Sequence, residues 1–176
     1  FIRGLYYYNL VHFFGGVPLI TTPLSASDDL QLPRNSADEV WDQVEKDMID
    51  ASSLLPIKWD NDIDKGRVTK TSAWGFLVKA FLWREKWDDA IIYSEKIVSS
   101  GQHSLIERGF RDFFREENEN NAEMVFSTQF STLQGEQNNL VARTAPRGAP
   151  SKYTGPAAWS NFVSYRHWVN AMEKNT

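Results

Sequence analysis

The chain has 176 residues, and its 41% hydrophobic and 24% charged residues are the balance of a globular protein rather than a disordered one. A net charge of −4 argues against nucleic acid as a partner, because phosphate binding needs a basic face. There is no cysteine and no apolar run of about 18 residues, so the sequence excludes disulfides, thiolate chemistry and a membrane-spanning helix.

Two helices are predicted in the first third of the chain. Apolar residues recur at helical spacing over 2–14, and the Gly-Gly pair that follows ends the helix. Residues 15–35 contain three prolines and are predicted to form a loop. The second helix, over 37–55, begins at a capping box made by Ser36 and Glu39. Its buried stripe is predicted to comprise Val40, Val44, Met48, Ala51 and Leu55.

Two more helices are predicted after a polar loop at 57–69. The third, over 71–84, is apolar nearly all round, which predicts a place in the middle of the packing. The fourth, over 88–100, has a narrower apolar stripe and is followed by Gly101 as its C-terminal cap. The predicted stripe of this helix is Ala90, Ile91, Ser94, Ile97 and Val98.

The last third of the chain is less regular. Alternation of side-chain type over 123–130 predicts a strand, with Phe126 and Phe130 on the same face. Residues 131–158 carry Gly, Pro, Asn and Arg without periodicity, which predicts a long irregular segment of the kind that is usually functional or disordered. A short final helix is predicted near 160–173.

The helices fall into pairs whose spacing resembles the tetratricopeptide repeat. Four residues of the second pair match the repeat, namely Trp74, Leu77, Phe81 and Ala90. The first pair matches only at its end, through Ala51 and Pro56, because the loop at 15–35 separates its two helices. Stacked pairs bury stripes that neither pair buries alone. On this pattern alone, an ordinary helical bundle is the alternative.

The order of these segments resembles the SusD/RagB family. The aromatic helix from Arg3 to Val11 runs into Phe-Gly-Gly-Val-Pro-Leu-Ile, which is similar to the family's FGDVPLI turn with Gly16 in place of the usual Asp. Further similar blocks follow in the same order: Arg34 with Val40–Asp47, Gly66–Lys70 with Ala73–Trp83, Lys86–Ala90, and Asn118 with the segment from Glu123 to Phe130. The resemblance covers residues 1–130, and nothing after residue 131 matches.

The resemblance implies a mainly α fold, with tetratricopeptide-like helix pairs at 1–130, the start of an irregular ligand-binding lobe at 131–176 and a minor β-strand component. It implies a glycan-binding protein, not an enzyme, that captures oligosaccharide or polysaccharide on the extracellular face of the outer membrane. It also implies delivery to a SusC-like TonB-dependent transporter. The chain opens on Phe1 without an initiator Met or signal segment. We therefore expect a fragment cut at both ends, with its lipid anchor elsewhere.

Candidate binding residues follow from the chemistry of sugars, which bind through flat rings and nearby amide, guanidinium or carboxylate groups. The irregular segment supplies Trp159, Tyr153, Arg143 and Asn138. Trp59 stands between polar residues of a loop and is a fifth candidate. The alternative for each ring is that it fixes its own loop on the core. In contrast, Trp41, Trp74 and Trp83 lie on predicted helices and are interpreted as packing residues.

The alternating acids Asp60, Asp62 and Asp64 resemble the start of a calcium loop and are the candidate metal site of the sequence. Gly66 falls at the seventh position instead of the sixth, and Thr71 stands where a glutamate ligand is needed. A solvated turn is the preferred interpretation, and we expect no cofactor or metal.

Two other functions were considered. A glycosidase needs two carboxylates across the scissile bond, but the acidic residues lie mostly on polar helix faces or in one acidic run. The three histidines lack metal-ligand spacing, and there is no Gly-rich phosphate loop. A tetratricopeptide-type scaffold for protein interaction is the alternative function.

Overall fold

A computed structural model describes residues 1–25, 27, 31–106 and 118–130. The helices in these residues are α1 (Ile2–Phe14), α2 (Ala37–Leu54), α3 (Lys70–Trp83) and α4 (Trp87–Ser99), with a 3₁₀ turn at Asp62–Asp64. All of them belong to one compact unit, Phe1–Thr128, which we call the helical unit. A second unit, Gln129–Thr176, is described only at residues 129 and 130. The mainly α fold is confirmed, whereas the irregular segment and final helix predicted after residue 131 lie outside the described residues.

The helix boundaries follow from local capping. Ser36 and Glu39 form the predicted capping box, in which the Ser36 Oγ accepts from the Glu39 amide and the Glu39 carboxylate accepts from the Ser36 amide at 2.8 Å. A second box, which the sequence analysis did not predict, starts α3 at Thr69 and Ser72. Gly101 follows α4 with a φ of 65°, the left-handed conformation that suits a glycine after a helix.

The core lies along α2, since each helix packs on the next one in the chain. The first buried cluster consists of Tyr7, Val11, Val40, Trp41, Val44 and Ala80. The second buried cluster consists of Met48, Ala51, Ala73, Leu77, Phe81 and Ala90. Trp74 packs against this second cluster. The tetratricopeptide register is therefore realised in α3 and α4, whose matching residues meet between the two helices. No helix in the described ranges is long and apolar enough to cross a bilayer.

Three helical side chains differ from their predicted burial. Trp83 is 56% exposed, although its ring lies 4.2 Å from that of His12. Ile91 and Val98 are also exposed, because α4 turns Ala90 and Tyr93 toward α3 instead. The predicted packing role thus holds for Trp41 and Trp74, but the prediction for Trp83 was wrong.

The strand predicted over 123–130 is absent from the described part of the chain. The segment instead lies against α3, where Val125 contacts Gly75 and the Phe126 ring is 5.6 Å from Phe76. Alternating side chains fit an extended backbone, but a strand also needs a neighbouring strand for its ladder of hydrogen bonds. Among the described residues, the neighbour of this segment is the helix α3 and not a strand. Alternation alone was therefore not sufficient to predict a strand.

The turn after α1 is fixed by a dense set of hydrogen bonds. The Asn35 amide donates to the Val17 carbonyl at 3.1 Å, and the Tyr7 hydroxyl accepts from the Ile20 amide at 2.6 Å. A Cβ placed on Gly16 would lie 2.1 Å from the Asn35 carbonyl oxygen. Glycine at position 16 therefore permits a close approach of two backbone segments.

Arg3 and Asp47 join α1 to α2. The guanidinium donates two hydrogen bonds to the carboxylate, at 2.7 and 2.6 Å, and a third to the Thr21 carbonyl at 2.8 Å. Burial opposes ionisation of Asp47, but the hydrogen bonds from Arg3 and Gln43 outweigh it and hold the pKa of this carboxyl below its usual value. The pair thus fixes α1, α2 and the loop between them together.

Candidate functional site

A polar cleft of about 340 Å³ lies beside the N-terminus of α3. Its walls are the loop at 57–69, the first turn of α3, and the extended segment around 120–127. The lining residues are Lys58, Trp59, Asp60, Asn61, Asp64, Lys65, Gly66, Arg67, Thr69, Ser72, His103, Asn120, Met124, Val125, Phe126 and Ser127. This volume is at the lower end of the range for small-ligand pockets, about 300–1,000 Å³.

The loop that carries Trp59 is closed at its base. The Lys70 amide donates to the Pro56 carbonyl at 2.9 Å, so the two ends of the loop meet. Within the loop, the Trp59 Nε1–H donates to the Val68 carbonyl at 2.9 Å. The Arg67 guanidinium lies over the indole, 5.2 Å from the ring centroid, at a distance suited to a cation–π contact. The half-buried ring is therefore held at one edge and on one face.

The charges of the cleft are partly neutralised. Arg67 pairs with Asp64 at 3.0 Å, and Lys65 also has an interaction partner. The side chains of Lys58 and Asp60 make no hydrogen bond or ion pair with any described residue. No group of three His, Cys, Asp or Glu residues that could hold a metal ion occurs in the described ranges. Of the acids in the calcium-like pattern, Asp64 is thus already paired with Arg67.

The floor of the cleft is tied to α3 by Ser72. Its Oγ donates to the Val125 carbonyl at 2.9 Å and accepts from the Thr69 amide at 3.2 Å. Ser72 is 2% exposed, so these hydrogen bonds replace its contact with water. One side chain therefore both caps the helix and positions the extended segment.

His103 connects the far wall to the same helix. Its Nδ1 is 3.1 Å from the Ala122 carbonyl, and its Nε2 is 2.8 Å from the Thr71 Oγ1. Because a carbonyl only accepts, Nδ1 carries a proton and donates it to the Ala122 oxygen, while Nε2 shares a hydrogen bond with the Thr71 hydroxyl. Both ring nitrogens are thus used in positioning the wall.

A second cavity, of about 500 Å³, lies between α3, α4 and the segment at 125–126. Most of its lining is apolar and includes Gly75, Phe76, Ile97 and Val98. It lacks the cluster of amide and charged side chains that sugar hydroxyls require. The polar cleft is therefore the better candidate for a site of recognition.

Of the candidate residues from the sequence, the structure describes one, and it lies in the cleft. Trp59 lines the cavity next to Asp60 and Asn61, which the sequence analysis assigned to a solvated turn. The other candidates, Trp159, Tyr153, Arg143 and Asn138, lie outside the described residues. The assignment of these residues to ligand binding stays a prediction.

Sequence reasoning missed the opposite wall of the cleft. His103 and Ser72 are separated from Trp59 by 44 and 13 positions, and Val125 by 66. No spacing rule connects these positions, because the tertiary packing of α3 and α4 brings them together. The usable signal was local: a tryptophan in an otherwise polar loop between two helices.

Comparisons with known proteins agree on one family. Residues 1–82 match the model of the family SusD-like_3, described as "Starch-binding associating with outer membrane". A curated relative, the SusD-like protein P25 of Formosa agariphila, is 29% identical over 74% of this chain and 24% of its own length.

Solved structures show the same similarity. A SusD-like protein from Bacteroides fragilis matches with a TM-score of 0.69 and 26% identity over 74% of this chain and 26% of that one. Surface glycan-binding protein A from Bacteroides uniformis matches with a TM-score of 0.63 and 25% identity, over 71% and 28% of the respective chains. The chain thus spans less than a third of the length of these proteins.

Proposed function

We propose that the helical unit is that of a SusD-like protein and that the full-length protein captures glycans at the bacterial cell surface. The observation that carries the proposal is the match of the helical unit to proteins described as starch-binding or glycan-binding. The polar cleft supports it, since an anchored ring stands there beside amide and charged side chains.

Capture supplies a TonB-dependent transporter of the SusC type, over which the protein sits as a lid. In this proposal the protein is held by a lipid anchor at the extracellular face of the outer membrane. The helical unit serves as the rigid part of the lid, because each helix packs on the next and two buried clusters lie along α2. Pull-down of tagged full-length protein from detergent-solubilised outer membranes should recover a TonB-dependent barrel. Recovery of the protein without any barrel would contradict this step.

The residues proposed for the main contact are Trp159, Tyr153, Arg143 and Asn138. Aromatic rings cover the apolar C–H faces of a pyranose, while guanidinium and amide groups bind its hydroxyls. Affinity electrophoresis of the full-length protein through gels with starch, laminarin or other polysaccharides tests this assignment. We expect retention on at least one polysaccharide.

The variants Trp159→Ala and Tyr153→Ala should each weaken that retention by about tenfold in Kd, the typical loss for an aromatic anchor. Trp87→Ala is the matched control, because Trp87 is a tryptophan on α4 that is 57% exposed. Unchanged retention in both variants would reject these two residues as anchors. Absence of retention on every polysaccharide would contradict glycan capture itself.

Binding proceeds without turnover in this proposal, and it needs no cofactor. Retention should therefore be equal in EDTA and in calcium. Incubation of the full-length protein with a retained polysaccharide should release no reducing ends. Loss of retention in EDTA would revive a metal site, and release of reducing ends would revive a glycosidase.

A further inference from the structure

We propose that the polar cleft beside Trp59 binds a short stretch of neutral glycan, as a contact point on the helical unit additional to the residues predicted after 131. The inference rests on the proposed function, because it assigns part of glycan recognition to a defined cavity. Four observations support it: the Trp59 indole is fixed, neighbouring polar side chains have no described partner, the cavity is small, and its unpaired charges offset each other.

The ring of Trp59 is organised before any ligand arrives. Its Nε1–H bond to the Val68 carbonyl and the Arg67 guanidinium over the ring fix the indole in the loop. The indole nevertheless lines the cavity. A fixed ring costs little conformational entropy on binding, which favours a contact with the flat face of a sugar.

The polar groups next to the ring are unused. Within the described residues, the side chains of Lys58, Asp60 and Asn61 form no hydrogen bond or ion pair, and all three line the cleft. Together they offer an ammonium donor, a carboxylate acceptor and an amide that both donates and accepts. Sugar hydroxyls need this mixture, because each one both donates and accepts.

The charge of the cleft points to a neutral ligand. Arg67 is paired with Asp64, and Lys65 also has an interaction partner. The two remaining unpaired charges, Lys58 and Asp60, are of opposite sign and nearly adjacent in sequence. These two charges offset each other, so they give an anionic sugar no net attraction, and the hydrogen-bonding groups of a neutral sugar are the ones that the cleft can bind.

The opposite wall of the cleft is held in place by hydrogen bonds between described residues. The Ser72 hydroxyl is hydrogen-bonded to Val125, and the two ring nitrogens of His103 are hydrogen-bonded to Ala122 and Thr71. At about 340 Å³ the cavity takes only a short stretch of a chain. The cleft therefore engages the end of a glycan or one exposed part of it.

Hydroxyl-radical footprinting of the full-length protein tests the inference, because mass spectrometry reads each oxidised residue separately. The probes are the neutral maltohexaose and laminarihexaose and the anionic hexagalacturonate. We expect a neutral probe to lower the oxidation of Trp59 along a saturable curve. Trp83 and Trp87, which are 56% and 57% exposed, are internal controls whose oxidation should not change.

Two variants link the protection to the cleft. Asp60→Ala and Asn61→Ala remove exposed side chains that hold no described partner, so the fold should be unaffected. Each should raise the concentration for half-maximal protection of Trp59 by about fivefold, as expected for the loss of one hydrogen bond. Unchanged half-maximal concentrations in both variants would overturn the assigned contacts.

The same spectra separate this inference from the proposed function. Protection of Trp159 or Tyr153 with unchanged oxidation of Trp59 would overturn the cleft and leave glycan capture standing. Protection of Trp59 by hexagalacturonate alone would overturn the neutral ligand. Protection at none of the three residues by any probe would overturn the cleft, and retention in the polysaccharide gels would then decide glycan capture independently.

Discussion

The turn after α1 and the loop before α3 use their polar groups in opposite ways. In the first, Tyr7, Asn35 and Arg34 are all bonded to backbone groups of the turn. In the second, Trp59 is anchored while Asp60 and Asn61 have no partner within the described residues. Both loops connect helices of the same unit. The first loop therefore uses its polar groups to hold the structure together, whereas the second leaves some of its side chains without a described partner, as the proposed glycan contact requires.

The largest expected effect is at the turn after α1. Gly16→Ala should destabilise the helical unit by about 3 kcal/mol, because the new Cβ would lie 2.1 Å from the Asn35 oxygen and force the two segments apart. Gly15→Ala is the control: its Cβ meets nothing within 4 Å, so only the backbone conformation, with φ 68° and ψ −138°, costs stability, by about 1–2 kcal/mol. Urea unfolding of the full-length protein measures both. Equal losses would show that conformation, rather than close approach, selects Gly16.

A smaller effect is expected between α1 and α2. Asp47→Asn should lower stability at neutral pH by about 2 kcal/mol, because it weakens two hydrogen bonds between the buried Asp47 carboxylate and the partly exposed Arg3 guanidinium. Asp50→Asn, which affects an exposed pair with Lys46, should cost about 0.3 kcal/mol.

This second effect also depends on pH. The folded protein holds the pKa of Asp47 below its unfolded value, so the advantage of the wild type over Asp47→Asn is complete above a pH of about 4. It disappears as the pH falls through the depressed folded-state pKa. Urea unfolding at stepwise lower pH measures the difference. An advantage that persists unchanged at the lowest pH would show that ionisation of Asp47 does not contribute.

The smallest effect is expected in the cleft. Asp60→Ala and Asn61→Ala should change stability by less than about 0.5 kcal/mol, since neither side chain holds a described partner. The same unfolding measurement applies. A loss as large as that of Asp47→Asn would remove the contrast between the two loops and assign these residues to the fold.

The helices could be predicted because their signals are local. Ser36 with Glu39 and Gly101 mark ends that capping chemistry determines within one turn. The strand at 123–130 could not be predicted correctly, because alternation does not tell whether a neighbouring strand exists. Similarly, Trp83 has an apolar ring on an apolar helix, but its exposure depends on which other elements cover that side.

The site could be predicted only in part. Trp59 was identified because a tryptophan in a polar loop is unusual, whereas His103 and Ser72 carry no such mark in the sequence. Their role depends on the packing that brings residues 103 and 122–125 to the start of α3. The residues that position the cleft are therefore harder to predict from the sequence than the candidate binding residues that line it.

The hydrogen bond between Lys70 and Pro56 closes the loop of the cleft at its base. Because its two ends are already joined, the intervening residues can change in length and composition without altering the spacing of α2 and α3. In the proposed function, exchange of this one segment would change the ligand preference of the cleft. For protein engineering, the same junction marks a place where a loop from another member could be grafted onto an unchanged helical scaffold.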